Sequence, residues 1–390
     1  MTEAHQSKDS GDSRISIFTP NSLRFYGGGE IILILISSML NKLGFNTTIY
    51  GDDQYSGIKR VQELREDDYR ITYKEIRMQQ HRGIGRIMYH KFPSIDSLRI
   101  GALNLIMLWR VPSRNQIMAC TDSSSKCILL LHGIGIDRLH FANLTVILYQ
   151  LYLRLQLHLK RPILSDRNLY FQVLNDFQYD YLCRLLRKPE NIFLIKNGVQ
   201  SGSYMVGRND DIFKVIFIGR IENVQKGIRR LLRVSQILSV KRPELKFEII
   251  GSGSYSSKIE NTKNLTYSGF VTSEEKVKVL KEAGLLVITS NMDPSPAVVI
   301  EALLSGLPVV GTPVSGIAGM LKLNSLYGDI SGFNPNAFSD SIIKYFDLWR
   351  GSPERYFLDK IERRNRAIED FSFDRMIKEY ETMIRKVFSR

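Results

Sequence analysis

Cysteine and tryptophan are scarce in this chain, with three cysteines and two tryptophans among 390 residues. Cys120, Cys127 and Cys183 form no CxxC pair and lie in apolar stretches. That excludes a disulfide framework and a cysteine zinc site, and predicts buried thiols in a reducing compartment. No apolar run approaches the roughly 20 residues needed to cross a bilayer. The amino-terminal MTEAHQSKDSGDSR is polar and lacks the hydrophobic region of a secretory signal, so residues 1–13 are expected to be a disordered tail. Together these absences predict a cytoplasmic protein, with peripheral contact to the cytosolic face of a membrane left open. Acidic residues are outnumbered as well: 40 Asp and Glu against 54 Lys and Arg, a net charge of +14. The excess suits nucleotide phosphate, acidic lipid headgroups or nucleic acid, or serves solubility alone. No helix-turn-helix or RNP-type aromatic motif is visible, so nucleic acid is not the expected partner. There is no DxD motif or His/Cys cluster either, and no metal site is expected.

What the chain does have is alternation of strands and helices, over a length that exceeds one ordinary core and predicts two domains. RISIFT (Arg14 to Thr19) is a strand, Gly27-Gly28-Gly29 a turn, EIILILISSMLNKLG a helix ending at Gly44, and NTTIYG a strand. That order opens a Rossmann-like βαβ unit, although glycines there also serve tight packing alone. YRITYKEI is read as a strand and HRGIGR as a loop. IMAC and CILLLHG are expected to be two buried parallel strands, the second ending at His132-Gly133. From Phe141 to Arg161 the alternation LYLRLQLHLK suits a strand, but leucine propensity and length favour a helix. Such a helix has two apolar stripes, Leu144, Leu148, Leu151, Leu155 and Leu159 on one face and Val146, Leu153 and Leu157 on the other. Whether protein covers both stripes stays open. LYFQVLN is taken as the last strand of this half, followed by a helix from Tyr179 to Arg187 and a turn at Asn197-Gly198.

The second half alternates more cleanly through the strands FKVIFIG, KFEIIG, NLTYSG and LLVITS. The expected fold is α/β, with two Rossmann-like domains facing each other across a cleft. Residues 14–196 would form the first domain and 197–365 the second, while 366–390 would be a helix returning to the first.

The stretch SNMDPSPAVVIEALLSGLPVV, from Ser290 to Val310, is where chemistry gathers. Ser295 is the expected N-cap and Pro296 the first helical residue, which leaves the N–H groups of Ala297 and Val298 free at a helix start suited to phosphate. Asp293 stands in the loop above. Glu301 lies on the second turn among apolar residues and needs a partner, either sugar hydroxyls or a salt bridge to a neighbouring helix. Arg220 and Lys226, in FIGRIENVQKG, leave their sheet at the same edge and supply positive charge.

FIGRIENVQKG, IIGSG, YSGFV and DPSPAVVIEALLSGLPVVGTPVSG resemble, in order and spacing, the donor half of family 4 glycosyltransferases, retaining sugar transferases of the GT-B fold. GGGE, HG at Gly133, IKNGV and FSFDRMIKEYE extend the resemblance over most of the chain. It implies that Arg220 and Lys226 bind the donor diphosphate, Glu301 the ribose and Asp293 the transferred sugar. Gly27 and Gly28 would close over the donor, the Val271 backbone would meet the base, and His132 would lie near the reacting sugar. The implied reaction moves a sugar from a UDP- or GDP-linked donor to a hydroxyl of a glycan or lipid-linked acceptor, with no metal and no cofactor beyond the donor. Three positions depart from the family pattern: Asp293 replaces the usual Glu, Pro296 stands where glycine is frequent, and Gly319 where an acid is common. An epimerase or hydrolase of the same fold, or a catalytically silent nucleotide-sugar binder, are the alternatives. Arg154, Lys160 and Arg161 beside the leucine stripes, with Arg82 and Arg86, would suit an anionic membrane.

Overall fold

A computed structural model describes residues 14–19, 28–52, 71–77, 79–82, 89–93, 95–98, 101–108, 110–122, 125–140, 143–208, 211–260, 262 and 265–390. The first half contributes strands β1 (Arg14–Phe18), β2 (Asn46–Asp52), β3 (Thr72–Ile76), β4 (Gln79–Arg82), β5 (Tyr89–Phe92), β6 (Leu103–Met107), β7 (Lys126–Leu130), β8 (Leu169–Val173) and β9 (Ile192–Leu194). All but the antiparallel β4–β5 pair join one parallel sheet in the order β3-β2-β1-β6-β7-β8-β9. The second half contributes β10 (Lys214–Ile218), β11 (Lys246–Ile250), β12 (Thr266–Gly269), β13 (Leu285–Ile288), β14 (Val309–Gly311) and β15 (Gly328–Ile330), parallel in the order β12-β11-β10-β13-β14-β15. LLVI is apolar throughout, and LNLIM is apolar but for Asn104, whose amide donates to the Leu98 carbonyl, because helices cover both faces of each sheet. Strand order reverses between β1 and β6 and between β10 and β13, and such switch points are where open α/β sheets take ligands.

Helix Pro353–Phe371 buries Ala367 and Phe371 in the second-domain core. Helix Phe373–Phe388 instead places Met376, Tyr380 and Ile384 against Ile15, Leu33 and Tyr170 of the first domain. Ser372, between the two helices, bridges to Val199, so both crossings between the halves lie side by side.

Several local expectations are corrected. IMAC is not a strand but part of helix Arg114–Asp122. The strands beside CILLLHG are LNLIM and LYFQV. The helix signal was present in the sequence as Ser113 and Gln116: the Ser113 amide donates to Gln116 Oε1 at 2.7 Å and the Gln116 amide to Ser113 Oγ at 3.3 Å, a reciprocal cap. LYFQVLN is not the last strand of its half, since β9 follows at the sheet edge. The helix expected from Tyr179 starts at Asp176. His81 and Arg82 belong to β4 rather than a loop, and Arg86 lies outside the described residues, as do Gly27 and the tail 1–13.

Residues Leu144–Leu159 form a helix capped by Asn143, whose side chain accepts from the Thr145 and Val146 amides. Val146, Gln150, Leu153 and Leu157 are buried. The opposite stripe is uncovered, with Leu144 71%, Leu148 57%, Leu151 47%, Leu155 56% and Leu159 68% exposed. Arg154 and Lys160 donate into the protein, to the carbonyls of Asp137 (2.8 Å) and Pro112 (2.7 Å). No helix among the described residues is long and apolar enough to cross a membrane.

Candidate functional site

Two loops leave the β10/β13 switch point together. In the first, Glu222 accepts from the Gln225 amide at 3.1 Å and the Lys226 amide at 2.9 Å, folding the chain back on itself. Gly227 then adopts φ 66°, and any Cβ there would lie 2.2 Å from the Thr289 carbonyl oxygen, so the turn into helix Ile228–Lys241 requires glycine. Asn291, in the second loop, ties the two: its amide donates to Gln225 O (2.7 Å) and its side chain to Asn223 O and Val224 O (3.0 Å each). Arg230 donates to Asn291 Oδ1 and Thr289 O and lies over the Phe333 ring, and burial pushes its pKa down to about 10. Sequence reasoning missed Asn291 and Arg230. Their signal was position alone, beside residues already singled out.

This scaffold joins Lys226 to Asp293, Nζ to Oδ2 at 2.6 Å, with both side chains largely buried. Ser290 Oγ lies 3.4 Å from the same oxygen. Arg220 is exposed, and its guanidinium donates to the Gln225 side chain. Helix Ala297–Leu304 begins one residue later than expected: Pro296, at φ −69° and ψ 111°, is the N-cap, and Ser295 is not. Ser295 is buried with its Oγ unpartnered, and its carbonyl accepts from Asn197 at 3.3 Å. The Val299 amide reaches Pro296 O at 3.0 Å, and the Ala297 and Val298 amides precede it at the helix mouth. Gly316 packs under the loop, where a Cβ would lie 2.2 Å from the Asp293 carbonyl oxygen.

Glu301 has the partner that a neighbouring helix supplies. Lys276 Nζ, on helix Ser273–Glu282, lies 2.6 Å from Glu301 Oε1. Tyr204 faces the same carboxylate, and burial together with the Glu301 charge pushes its pKa well up. Val271 immediately precedes Thr272, whose side chain and that of Glu275 cap the Lys276 helix reciprocally. One end of the site therefore holds Arg220, Lys226 and Asp293, the other Val271, Lys276, Tyr204 and Glu301. Helix Ala297–Leu304 connects them.

His132 follows β7 in the first domain, and its partners among the described residues, Gln172 and Tyr380, belong to that side. Gln172 Nε2 donates to Ile195 O, so its oxygen accepts from His132 Nε2 at 2.9 Å. The Tyr380 oxygen lies 3.4 Å from the same nitrogen. Burial, opposed by the Gln172 bond, pushes the His132 pKa down to about 4. Gly28 opens helix Gly28–Lys42. The two domains meet around the Asp293 loop: Gln150 Nε2 touches Met292 Sδ at 3.3 Å, Asn175 donates to Pro294 O at 2.9 Å, and Asp137 accepts from the Ser315 amide at 3.0 Å. A Cβ at Gly319 would meet only Asp176, at 3.8 Å.

Residues 206–362 match the family model of the glycosyl transferases group 1. An uncharacterized glycosyltransferase of Methanocaldococcus jannaschii is 26% identical over 222 residues, 51% of this chain and 55% of that protein. The chain spans about half or less of the length of the curated relatives it matches. Among solved structures, sucrose-phosphate synthase from Thermosynechococcus elongatus superposes with a TM-score of 0.72 at 16% identity, covering 96% of this chain and 99% of that one. Anabaena HepE, solved with UDP and glucose, gives 0.67 at 12% identity, covering 96% and 100%. The fold is GT-B, and the second domain carries the group 1 match.

Proposed function

We propose that this protein is a retaining glycosyltransferase that moves a hexose from a UDP- or GDP-linked donor to a hydroxyl of a glycan or lipid-linked acceptor, without a divalent ion. The observation that carries the reading is the Lys226–Asp293 pair beside the open start of helix Ala297–Leu304, at the switch point of the sheet that carries the group 1 match. The bound UDP and glucose of HepE support a nucleotide-sugar in a fold of this kind.

In this mechanism Lys226, Arg220 and the amides of Ala297 and Val298 take the charge that grows on the departing diphosphate. Asp293, one methylene shorter than Glu, receives sugar hydroxyls while Lys226 sets its orientation. Glu301 receives the ribose hydroxyls and the Val271 backbone the base. Gly27 and Gly28 close over the donor from the first domain. His132, neutral at physiological pH, holds its ring through Gln172 and presents Nδ1 as an acceptor. The acceptor hydroxyl attacks from the face the diphosphate leaves as the bond from the anomeric carbon to the diphosphate breaks, and its proton passes to an oxygen of the departing diphosphate, which preserves configuration.

The uncovered leucine stripe favours a lipid-linked acceptor on the cytosolic face of a membrane. Between Leu144 and Ser165 there is no acidic residue, while His158 and Arg161 stand at the carboxyl end of the stripe. An amphipathic surface of this composition binds anionic bilayers reversibly. Turnover of UDP- and GDP-hexoses by the purified chain, with product configuration read by NMR and EDTA present, tests the reaction. Inverted product or a manganese requirement would overturn the mechanism, and binding without turnover would make the protein a silent homologue. Flotation on anionic vesicles tests the membrane: wild type should float and Leu148→Ser/Leu151→Ser/Leu155→Ser should not.

A further inference from the structure

Two carboxylates mark the site, and each has a lysine at 2.6 Å: Lys226 on Asp293 and Lys276 on Glu301. The mechanism above uses the first lysine and leaves the second unused. We propose that Lys276, with Tyr204, positions Glu301 for the vicinal diol of the donor ribose, so that Lys276 governs preference for ribonucleotides. This rests on the nucleotide-sugar reading of the site.

An ionised carboxylate offers about four acceptor positions. Lys276 takes one on Oε1, and the Tyr204 hydroxyl, which faces the same carboxylate, is placed to take another. Two remain, the number a vicinal diol needs. Tyr204 is buried against the apolar core, and its raised pKa keeps it a donor at any working pH. Glu301 is the fifth residue of its helix, about 6 Å along the axis from the start that receives the diphosphate. A bare carboxylate there would repel the ligand, and Lys276 offsets that charge without filling the remaining acceptor positions. Lys276 also lies five residues after Val271, on the helix that starts beside it, and its side chain is 24% exposed. It therefore borders the nucleoside end of the site rather than the sugar end.

Titration calorimetry of the full chain with UDP and GDP, and with their 2′-deoxy counterparts, tests this. Wild type should prefer the ribo form of its nucleotide by about tenfold or more, the scale of one hydrogen bond to a charged group. Lys276→Met and Tyr204→Phe should each weaken the ribo form by about tenfold more than the deoxy form, which brings the ratio towards one, and Lys276→Met should in addition weaken both forms together through the uncompensated Glu301 charge. Lys276→Arg, which keeps a charged donor, should restore much of the preference. Tyr204→Phe retains the buried ring and keeps the test open should Lys276→Met fold poorly. A ribo-to-deoxy ratio equal to wild type in both variants would overturn the assignment. Wild type that binds a nucleotide without discriminating the two forms would remove Glu301 from the ribose and the inference with it. Wild type that binds neither UDP nor GDP would overturn the nucleotide-sugar reading itself.

Discussion

At the carboxyl edge of the second sheet, ionic groups come in tight pairs, Lys226 with Asp293 and Lys276 with Glu301. At the carboxyl edge of the first sheet, buried carboxylates stand at Asp52 and Asp137, but the polar groups gathered around His132 are neutral: Gln172 and Asn175, with Tyr380 from the final helix. Burial keeps the histidine uncharged, its pKa near 4. The difference follows from what each edge would meet. Buried ion pairs are costly next to apolar side chains of the same volume, and they suit places where a charged ligand exchanges partners with them. A diphosphate can draw Lys226 from Asp293 while sugar hydroxyls replace the lysine on the acid, and no charge is left bare. A neutral network can bond a hydroxyl acceptor but does not attract an anion. Under the proposed function, this division would put donor chemistry at one sheet and acceptor chemistry at the other.

The strongest way to break this contrast is to unpair one side. Lys226→Ala leaves Asp293 without its cation and the leaving diphosphate with Arg220 as its one charged side-chain donor, so turnover should fall by roughly two to three orders of magnitude. Kinetics with a folded variant would check it, and activity within tenfold of wild type would contradict the charge-pair reading. The neutral side is broken by acid. The unfolded histidine, with its ordinary pKa of 6.5, binds more protons than folded His132 between pH 6.5 and about 4, so stability falls as pH drops through that window. Denaturant titrations should show on the order of 3 kcal/mol lost across it in wild type beyond the loss in His132→Gln. Equal pH profiles would mean that His132 is not held neutral. Glu301→Ala should weaken nucleotide binding by about 1–3 kcal/mol, the range for lost hydrogen bonds to a charged group. Calorimetric affinity equal to wild type would take Glu301 out of the donor site. The mildest change is Leu155→Ala on the uncovered stripe, expected to shift stability by no more than about 0.5 kcal/mol. Leu153→Ala on the buried face of the same helix is the control, at about 2–5 kcal/mol. Similar losses for both would mean that the stripe is covered in solution.

The alternation of apolar runs with amphipathic stretches was enough to indicate two parallel sheets, though not every strand in them, because a parallel strand buried on two faces is largely apolar and its connecting helix is not. The residues at the second sheet's edge were legible for the same reason, each standing a fixed few positions past a strand end. IMAC shows the limit: four apolar residues do not distinguish strand from helix, and the deciding Ser113–Gln116 cap lay just upstream. The Leu144–Leu159 helix shows another, since its two leucine stripes are equivalent in composition.

What the sequence determined by itself was the α/β architecture, the anion-suited start of helix Ala297–Leu304 and the charged residues near it, all set by local spacing. Only the tertiary structure decided which leucine stripe is uncovered, that Lys276 and Tyr204 converge on Glu301, and that Tyr380 reaches His132 from a helix 248 positions further along the chain. These depend on how elements distant in sequence pack together, and no local pattern encodes a contact whose two sides are fixed by different parts of the core.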